Sequence, residues 1–279
     1  MRYKRTILIT GSTDGIGKET AAELSRAKDN FVIIHGRNER RCQEAVADIL
    51  QRTNGDGSNL GQVTGDFSDM EQVNSMVDDI KTKFPQLNVL CCNAGVLIKN
   101  RTVTKNGLEM TFQVNHLAHF LLVNKLLATL KQNTPSRIVI VSSLCHSWHP
   151  IKFDDLQATQ NYEKYVQYSI TKLQNVLFGL ALHRHLSHQN VTGVTVNMLE
   201  PGVIATKLLA VGGYSGAPLK DGIVAPVKLC TDSSLDSISG KYFDRCCREE
   251  APDSKALCET DQDKLWKLSE ELCAKLGVW

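Results

Sequence analysis

Tyr168 and Lys172 stand one helical turn apart in Tyr168-Ser169-Ile170-Thr171-Lys172, so on a helix they share a face. Such a pair can move a proton. A phenol ionises near ~10 in water, whereas proton transfer near neutrality wants a group near ~7. Closing that gap takes about 4 kcal/mol of preference for phenolate. A neighbouring ammonium can supply part of it in a semi-enclosed site. The spacing alone is weak, because a tyrosine packed on an aliphatic lysine stem looks the same. Two further features strengthen it. Ser142-Ser143 close the apolar run Ile138–Val141 and bring a hydroxyl to the same rim, where it could bond a carbonyl. Asn115 lies inside the helical segment Gln113-Val114-Asn115-His116 although asparagine is a poor helix former. Its amide could hold a water that relays protons to Lys172.

A second cluster is built for phosphate. Thr10-Gly11-Ser12-Thr13-Asp14-Gly15-Ile16-Gly17 follows the apolar run Ile7-Leu8-Ile9 and precedes a helical pattern. Strand, glycine-rich turn and helix together offer unpaired helix-start amides to a pyrophosphate. Gly11 suits the tight turn, and Gly15 and Gly17 let backbone approach a ligand and the sheet. The motif reads T-G-x-x-x-G-I-G, and no Gly-Lys-Ser/Thr ends it, so it is not a P-loop. The second strand closes on His35-Gly36-Arg37-Asn38 with no carboxylate to take a ribose hydroxyl. Arg37 can fork onto a 2′-phosphate instead, which predicts NADP(H) over NAD(H). A bound nicotinamide would add its positive charge to that of Lys172. Asp66-Phe67 close the third strand, and Asp66 could accept a bond from the adenine amino group. Asn93-Ala94-Gly95 close the fourth, where small residues let backbone lie against the cofactor. Both motifs also suit ordinary strand-end turns.

These residues need a frame that gathers strand ends. Short β-rich runs (Ile7–Thr10, Phe31–His35, Gln62–Gly65, Val89–Cys92, Arg137–Ser142, Gly193–Met198, Lys241–Phe243) alternate with helical patterns. The helical patterns are Ile16–Lys28, Arg40–Arg52, Met70–Lys83, Gly107–Leu130, Tyr165–Leu186, Ile223–Asp232 and a last one near Gln262–Leu276. Alternation of this kind predicts an α/β fold: a doubly wound, Rossmann-like parallel sheet with helices on both faces. No repeat or linker interrupts it, so residues 1–279 read as a single domain. Two long irregular stretches, Cys145–Tyr162 and Gly212–Pro218, follow strand ends and suit loops that cover a small-molecule substrate.

The chain has 279 residues, 42% hydrophobic and 22% charged, with a net charge of +2. That charge gives no electrostatic case for nucleic acid. The basic start Met1–Arg5 runs almost directly into the first strand, leaving no room for a signal peptide or a membrane anchor. No integral membrane segment follows, since Phe120–Leu130 is too short and holds Asn124 and Lys125. Its leucine-rich face reads as core or as the pairing surface of a homodimer. The nine cysteines lack a C-x-x-C and read as reduced thiols, which with the missing signal predicts a cytoplasmic protein. The histidine pairs His116/His119 and His146/His149 have i, i+3 spacing but no completing ligand set, so no metal is expected. His146, just past Ser143, could line a substrate pocket.

Taken in order, T-G-x-x-x-G-I-G, Asn93-Ala94-Gly95, the mid-helix Asn115, Ser143, Tyr168-x-x-x-Lys172 and Pro201-Gly202 resemble the short-chain dehydrogenase/reductase family over nearly the whole chain. Gly17-Lys18-Glu19-Thr20-Ala21, Ser143-Leu144-Cys145-His146 and Lys172-Leu173-Gln174-Asn175 are similar to its retinol dehydrogenase-like branch. The resemblance implies a tetrad. Asn115 serves the water relay, Ser143 (rather than Ser142) orients the substrate oxygen, Tyr168 is acid and base, and Lys172 tunes it. It also implies that Pro201, Gly202, Val203 and Thr206 touch the nicotinamide and its phosphate. The activity implied is carbonyl–alcohol interconversion on an apolar retinoid-, steroid- or aldehyde-like substrate. The chain departs from the family pattern at Cys92, Thr171 and Glu200, the last placing a charge near the carboxamide. Two rival functions use the same residues: a dinucleotide-sensing binding protein without turnover, and an epimerase or dehydratase using the Tyr/Lys pair.

Overall fold

In the computed structural model, described for residues 3–279, eight strands form one sheet in the order β3-β2-β1-β4-β5-β6-β7-β8. Met1 and Arg2 of the basic start lie outside the described residues. The strands are β1 (Arg5–Ile9), β2 (Asn30–Gly36), β3 (Leu60–Thr64), β4 (Val89–Cys92), β5 (Ser136–Val141), β6 (Val194–Leu199), β7 (Lys241–Phe243) and β8 (Glu249–Glu250). All pair in parallel except β7 with β8. The order reverses direction between β1 and β4, and the strand ends there form the crevice where doubly wound sheets bind ligands.

Parallel strands buried on both faces read as continuous apolar runs, and alternate residues serve opposite layers. Leu8, Ile33, Leu90 and Ile138 enter one core, together with helices α3 (Met70–Lys83), α5 (Ala118–Gln132), α6 (Lys164–His188) and α9 (Glu259–Lys275). Ile7, Ile9, Ile34, Cys91 and Val139 enter the other, with α1 (Gly15–Ser25), α2 (Glu39–Thr53) and α8 (Val224–Thr231). The expected alternation holds, with boundaries displaced by at most three residues. Sequence patterning did not reveal the short helix α7 (Lys207–Gly212) or the two-residue β8.

The helix expected over 107–130 is not uniform. It opens with the short turn α4 (Met110–Phe112), widens into a π-helical segment Gln113–Leu117 around Asn115, and continues as α5. Phe120, Leu121, Leu122, Val123, Leu126 and Leu130 are fully buried in the single chain. The chain's own C-terminus covers Phe120: Trp266 meets it edge-on at 5.0 Å, and Trp279 stacks on it at 5.3 Å. Of the two readings of that face, core is what the fold uses. Among the described residues, no helix is long and apolar enough to cross a membrane.

Candidate active site

The glycine-rich turn is held from three sides. Gly11 and Gly15 adopt φ of +65° and +55°, the left-handed region where a side chain is strained. A Cβ on Gly17 would lie 2.4 Å from Asn93 Nδ2 and 2.5 Å from the Gly11 carbonyl, so no other residue fits there without moving backbone. Asp14 caps α1 by accepting from the Gly15 amide. Its carboxylate also pairs with Lys207 Nζ at 2.6 Å. Burial would raise the Asp14 carboxyl, but the bonds to Lys207 and the Gly15 amide hold it below its usual value. The first-turn amides of Ile16 and Gly17 have no intrahelical acceptor, which is what a pyrophosphate cradle at a helix start uses. Ser12 is buried, donating to the Ile9 carbonyl at 2.8 Å and accepting from the His35 amide at 2.9 Å. Thr13 lies against β2, where a Cβ on Gly36 would strike its methyl group at 2.4 Å.

Two buried histidines complete the cradle, and local spacing gave no sign of them. His35 Nδ1 accepts from the Gly11 amide at 2.9 Å, so Nε2 carries the proton and donates to the Gly65 carbonyl at 3.0 Å. His119 donates from Nδ1 to the Asn115 carbonyl and accepts from Thr10 Oγ1 at 2.9 Å. Thr10 Oγ1 in turn accepts the amides of Asn93 and Ala94 at 2.8 and 2.9 Å. Both rings are neutral by design. Burial pushes His35 down to about 4 and His119 down to about 3.

Around this turn the remaining dinucleotide candidates take distinct positions. Arg37 is exposed at the end of β2 and forms no hydrogen bond or ion pair among the described residues. Asp66 Oδ1 accepts from the amide and hydroxyl of Ser68, a strand-end turn that leaves Oδ2 outward. The Phe67 ring is buried between His35 (4.7 Å) and His119 (5.2 Å), so its side chain belongs to the core and not to the crevice. Asn93 Nδ2 donates to the Thr10 carbonyl, and Ala94 lies against Gly11. Gly95 faces Lys172 Nζ, 3.4 Å from where its Cβ would be.

The four expected catalytic residues converge at the carboxyl ends of β4 and β5. Ser142 is buried and donates to the Lys172 carbonyl at 2.7 Å, so it serves the packing of α6. Ser143 is half-buried, and its hydroxyl lies by the Tyr168 phenol, where it favours the phenolate. Burial lifts that phenol well above its ordinary value, the nearby Cys145 thiol adds to this, and Ser143 pulls the other way. Lys172 is 3% exposed, with Nζ 5.5 Å from the Tyr168 ring and 3.4 Å from the Val141 carbonyl. Burial pushes its ammonium down to about 8. The protein alone therefore holds a protonated phenol beside a marginally stable ammonium. The acidification expected from Lys172 together with a bound nicotinamide would have to overcome that burial.

Asn115 differs from expectation in its use. Its Oδ1 accepts from the Val96 amide at 2.7 Å, and its Nδ2 donates to the Val96 carbonyl and to Thr171 Oγ1. Both amide protons are committed, so the side chain clamps the Asn93–Val96 loop to the catalytic helix. Thr171, the departure noted beside the lysine, is the residue that receives it, and it donates to the Tyr168 carbonyl at 2.7 Å.

A family model for short chain dehydrogenases matches residues 5–211. The chain belongs to the short-chain dehydrogenase family. Retinol dehydrogenase 14 of Mus musculus is 37% identical, covering 97% of this chain and 86% of its own. Retinol dehydrogenase 13 of Homo sapiens is 35% identical over 96% of this chain and 84% of its own. These place it in the retinol dehydrogenase-like branch of an oxidoreductase family that uses NAD(H) or NADP(H). A crystal structure from Mycobacterium paratuberculosis matches with a TM-score of 0.78 at 26% identity, covering 97% and 93% of the two chains. A short chain dehydrogenase of Escherichia coli CFT073, complexed with NADPH, shares the fold with a TM-score of 0.67 at 22% identity, covering 87% and 97%.

In this short-chain dehydrogenase the segment after β6 closes the crevice. Pro201 is buried and Gly202 turns with φ of +87°. Glu200 accepts from the Gly202 amide at 2.7 Å and from the Arg245 amide at 3.1 Å, so its carboxylate shapes the turn. Thr206 caps α7 and touches the glycine-rich turn, its methyl 3.5 Å from where a Cβ on Gly15 would be. Val203 is exposed, and Ala217 pairs back on Ile204. Tyr165, at the start of α6, donates to the Gly212 carbonyl at 2.6 Å and so moors the glycine-rich loop. The other irregular stretch is anchored too: Tyr162 donates to the Ile98 carbonyl and Arg101 to that of Gln157. Leu144, Trp148, Val203, Val211 and Tyr214 remain exposed on these crevice segments. His146 does not line a pocket: it is 6% exposed, beneath Ser143.

Proposed function

We propose that this chain is an NADP(H)-dependent oxidoreductase that interconverts a carbonyl and an alcohol on an apolar small molecule of retinoid, steroid or aldehyde type. The observation that carries the proposal is the Tyr168 phenol, beside the Ser143 hydroxyl and one turn from the buried ammonium of Lys172, whose Nζ is 5.5 Å from the phenol ring. The glycine-rich turn would hold the pyrophosphate of a nicotinamide dinucleotide, which would supply or take the hydride. In reduction, Ser143 holds the carbonyl oxygen and Tyr168 gives it a proton. In oxidation, Tyr168 takes that proton back. Lys172 stabilises phenolate in both directions, and Asn115 holds the loop bearing Gly95 against it. Arg37, exposed and free of protein partners, supports a 2′-phosphate on the cofactor. Asp66, whose Oδ1 accepts from Ser68, would offer Oδ2 to the adenine amino group. Exposed Leu144, Trp148, Val211 and Tyr214 support an apolar substrate, as do the names of the retinol dehydrogenase relatives. A cytoplasmic location and a small-molecule partner without nucleic acid complete the reading.

The test is purified protein, NADPH and a panel of apolar aldehydes and ketones, with Tyr168→Phe as control. That variant should lose about 10²–10⁴-fold in kcat, the range for a displaced general acid. Equal turnover by wild type and variant ends the assignment.

A further inference from the structure

The geometry points to His146 as the positioning residue that fixes Ser143 for the reaction and ties it to the C-terminal segment. β5 ends at Val141 and Ser142 is spent on the Lys172 carbonyl. Ser143, extended at φ −164° and ψ 156°, then caps a 3-10 turn, Leu144–Ser147. Both donors of His146 converge on the Ser143 carbonyl, its amide at 3.0 Å and its ring Nδ1 at 2.8 Å. The far side of the ring is fixed as well. Its Nε2 accepts the Asp253 amide at 3.1 Å. A backbone amide can only donate, so Nε2 is bare and Nδ1 bears the proton that Ser143 receives. The Tyr242 ring packs at 4.8 Å with its hydroxyl 3.3 Å from Nδ1. Asp253 caps the next 3-10 turn, Ser254–Leu257, and pairs with Lys255. One imidazole thus joins the catalytic strand end to β7 and to the segment after β8.

What this clamp protects is a lightly held hydroxyl. Ser143 Oγ accepts a long bond from the Cys145 amide, 3.3 Å, besides its contact with the phenol. Its direction is therefore set by its backbone, and its backbone by His146. This inference rests on the proposed role of Ser143 as the group that orients the substrate oxygen. His146 touches none of the reacting atoms.

The experiment compares wild type, Ser143→Ala, His146→Phe, the double variant, His146→Asn and His146→Gln. It measures kcat and KM for carbonyl reduction, NADPH binding by fluorescence, and Tm. His146→Phe should lower kcat by about 10–100-fold, as a misplaced catalytic group does, with NADPH binding unchanged. In the Ser143→Ala background it should cost nothing more, because the effect passes through Ser143. His146→Asn places an amide donor where Nδ1 was and should restore most of the rate, whereas His146→Gln, matching only the Nε2 end, should not. The Asn/Gln pair decides the matter even if the phenylalanine variant does not fold. Wild-type kcat in His146→Phe, additive losses in the double variant, or equal rates for Asn and Gln would each overturn the clamp. The two readings fail separately. If no carbonyl on the panel is turned over, the functional proposal falls, and ¹⁵N shifts of the His146 ring still decide the clamp, an Nε2-protonated tautomer overturning it.

Discussion

Replacing Lys172 by methionine should destroy activity and stabilise the protein. Lys172 is 3% exposed, and burial holds its ammonium down at about 8, against an ordinary value of 10.5. No carboxylate faces it, and its one backbone acceptor, the Val141 carbonyl, is 3.4 Å away. That displacement corresponds to about 3 kcal/mol charged to the folded state whenever the side chain is protonated. The sign follows from the lowered value. Below pH 8 both folded and unfolded chains carry the proton, and the full burial cost is present. As pH rises from 8 toward 10.5 the folded chain releases its proton while the unfolded chain keeps it, so the penalty fades. Methionine keeps the length and apolar volume of the stem without the charge. Thermal melts of the cofactor-free proteins should therefore show Lys172→Met above wild type at pH 7, by about 2–4 °C per kcal/mol for a chain of this size. The gap should narrow to about a quarter by pH 10, while NADPH-dependent carbonyl reduction is lost. A variant less stable than wild type at pH 7, or a gap unchanged between pH 7 and 10, would refute the account of Lys172 as a charge kept at a cost for proton transfer.

Other perturbations probe the cradle. Arg37→Glu should weaken NADPH binding by about 10–100-fold, the worth of a charge-assisted bond, and leave Tm unchanged because Arg37 has no protein partner. Isothermal titration with NADPH and NADH checks it, and equal losses for both cofactors would count against a 2′-phosphate contact. Gly17→Ala should lower Tm and cofactor affinity together, because its Cβ would overlap the Gly11 carbonyl and Asn93. The cost of such overpacking is about 1–3 kcal/mol, against the ~1 kcal/mol alanine gains in a helix. A Tm above wild type would show that the turn yields. His35, His116 and His119 are buried neutral, with values pushed to about 4, 3 and 3. The unfolded chain takes these protons near pH 6.5 and the folded chain does not, so stability falls as pH drops below 6.5. By pH 5 the loss is of order 2 kcal/mol per histidine, and a urea midpoint unchanged between pH 7 and 5 would contradict it.

The sheet was legible because its strands are buried on both faces and therefore read as unbroken apolar runs, such as Ile7–Ile9 and Ile138–Val141. Met70–Lys83 was readable to the residue, because Asp69 caps it. What escaped depends on partners remote in sequence. His35 bonds Gly11, and His119 bonds Thr10, more than a hundred residues away. No local period marks such residues as structural. Lys207, which pairs with Asp14 across the crevice, sits on a helix of six residues, too short to show a pattern. Phe67 was assigned by its place at a strand end, but side-chain alternation turned its ring inward onto two histidines. The residues of Y-x-x-x-K were found for the opposite reason: one helical turn brings them together whatever the tertiary fold does.

The polar groups of the site divide by whether the protein itself completes their bonding. Ser142, Asn115, Thr171, His35, His119 and His146 have both ends of their side chains, or their only hydroxyl, engaged by backbone or by one another. They are the frame. Tyr168, Lys172 and Arg37 are answered less fully: a phenol raised by burial, a buried ammonium with a long 3.4 Å bond to the Val141 carbonyl, and an exposed guanidinium with no hydrogen bond or ion pair among the described residues. Buried polar groups that native folds leave under-satisfied cost stability and persist where function needs them. Two of these lie at the carboxyl ends of β4 and β5 and the third at the end of β2. On the proposed function, that separation along one sheet edge is the span the dinucleotide would bridge, from a phosphate at one end to the ring beside the phenol at the other. That edge would then account both for the burial that holds the Lys172 ammonium down and for the absence of a partner for Arg37 among the described residues. A dinucleotide would answer the two ends differently, a phosphate pairing with Arg37 and a positively charged ring favouring the Tyr168 phenolate, a demand that a purely structural tyrosine–lysine contact does not make.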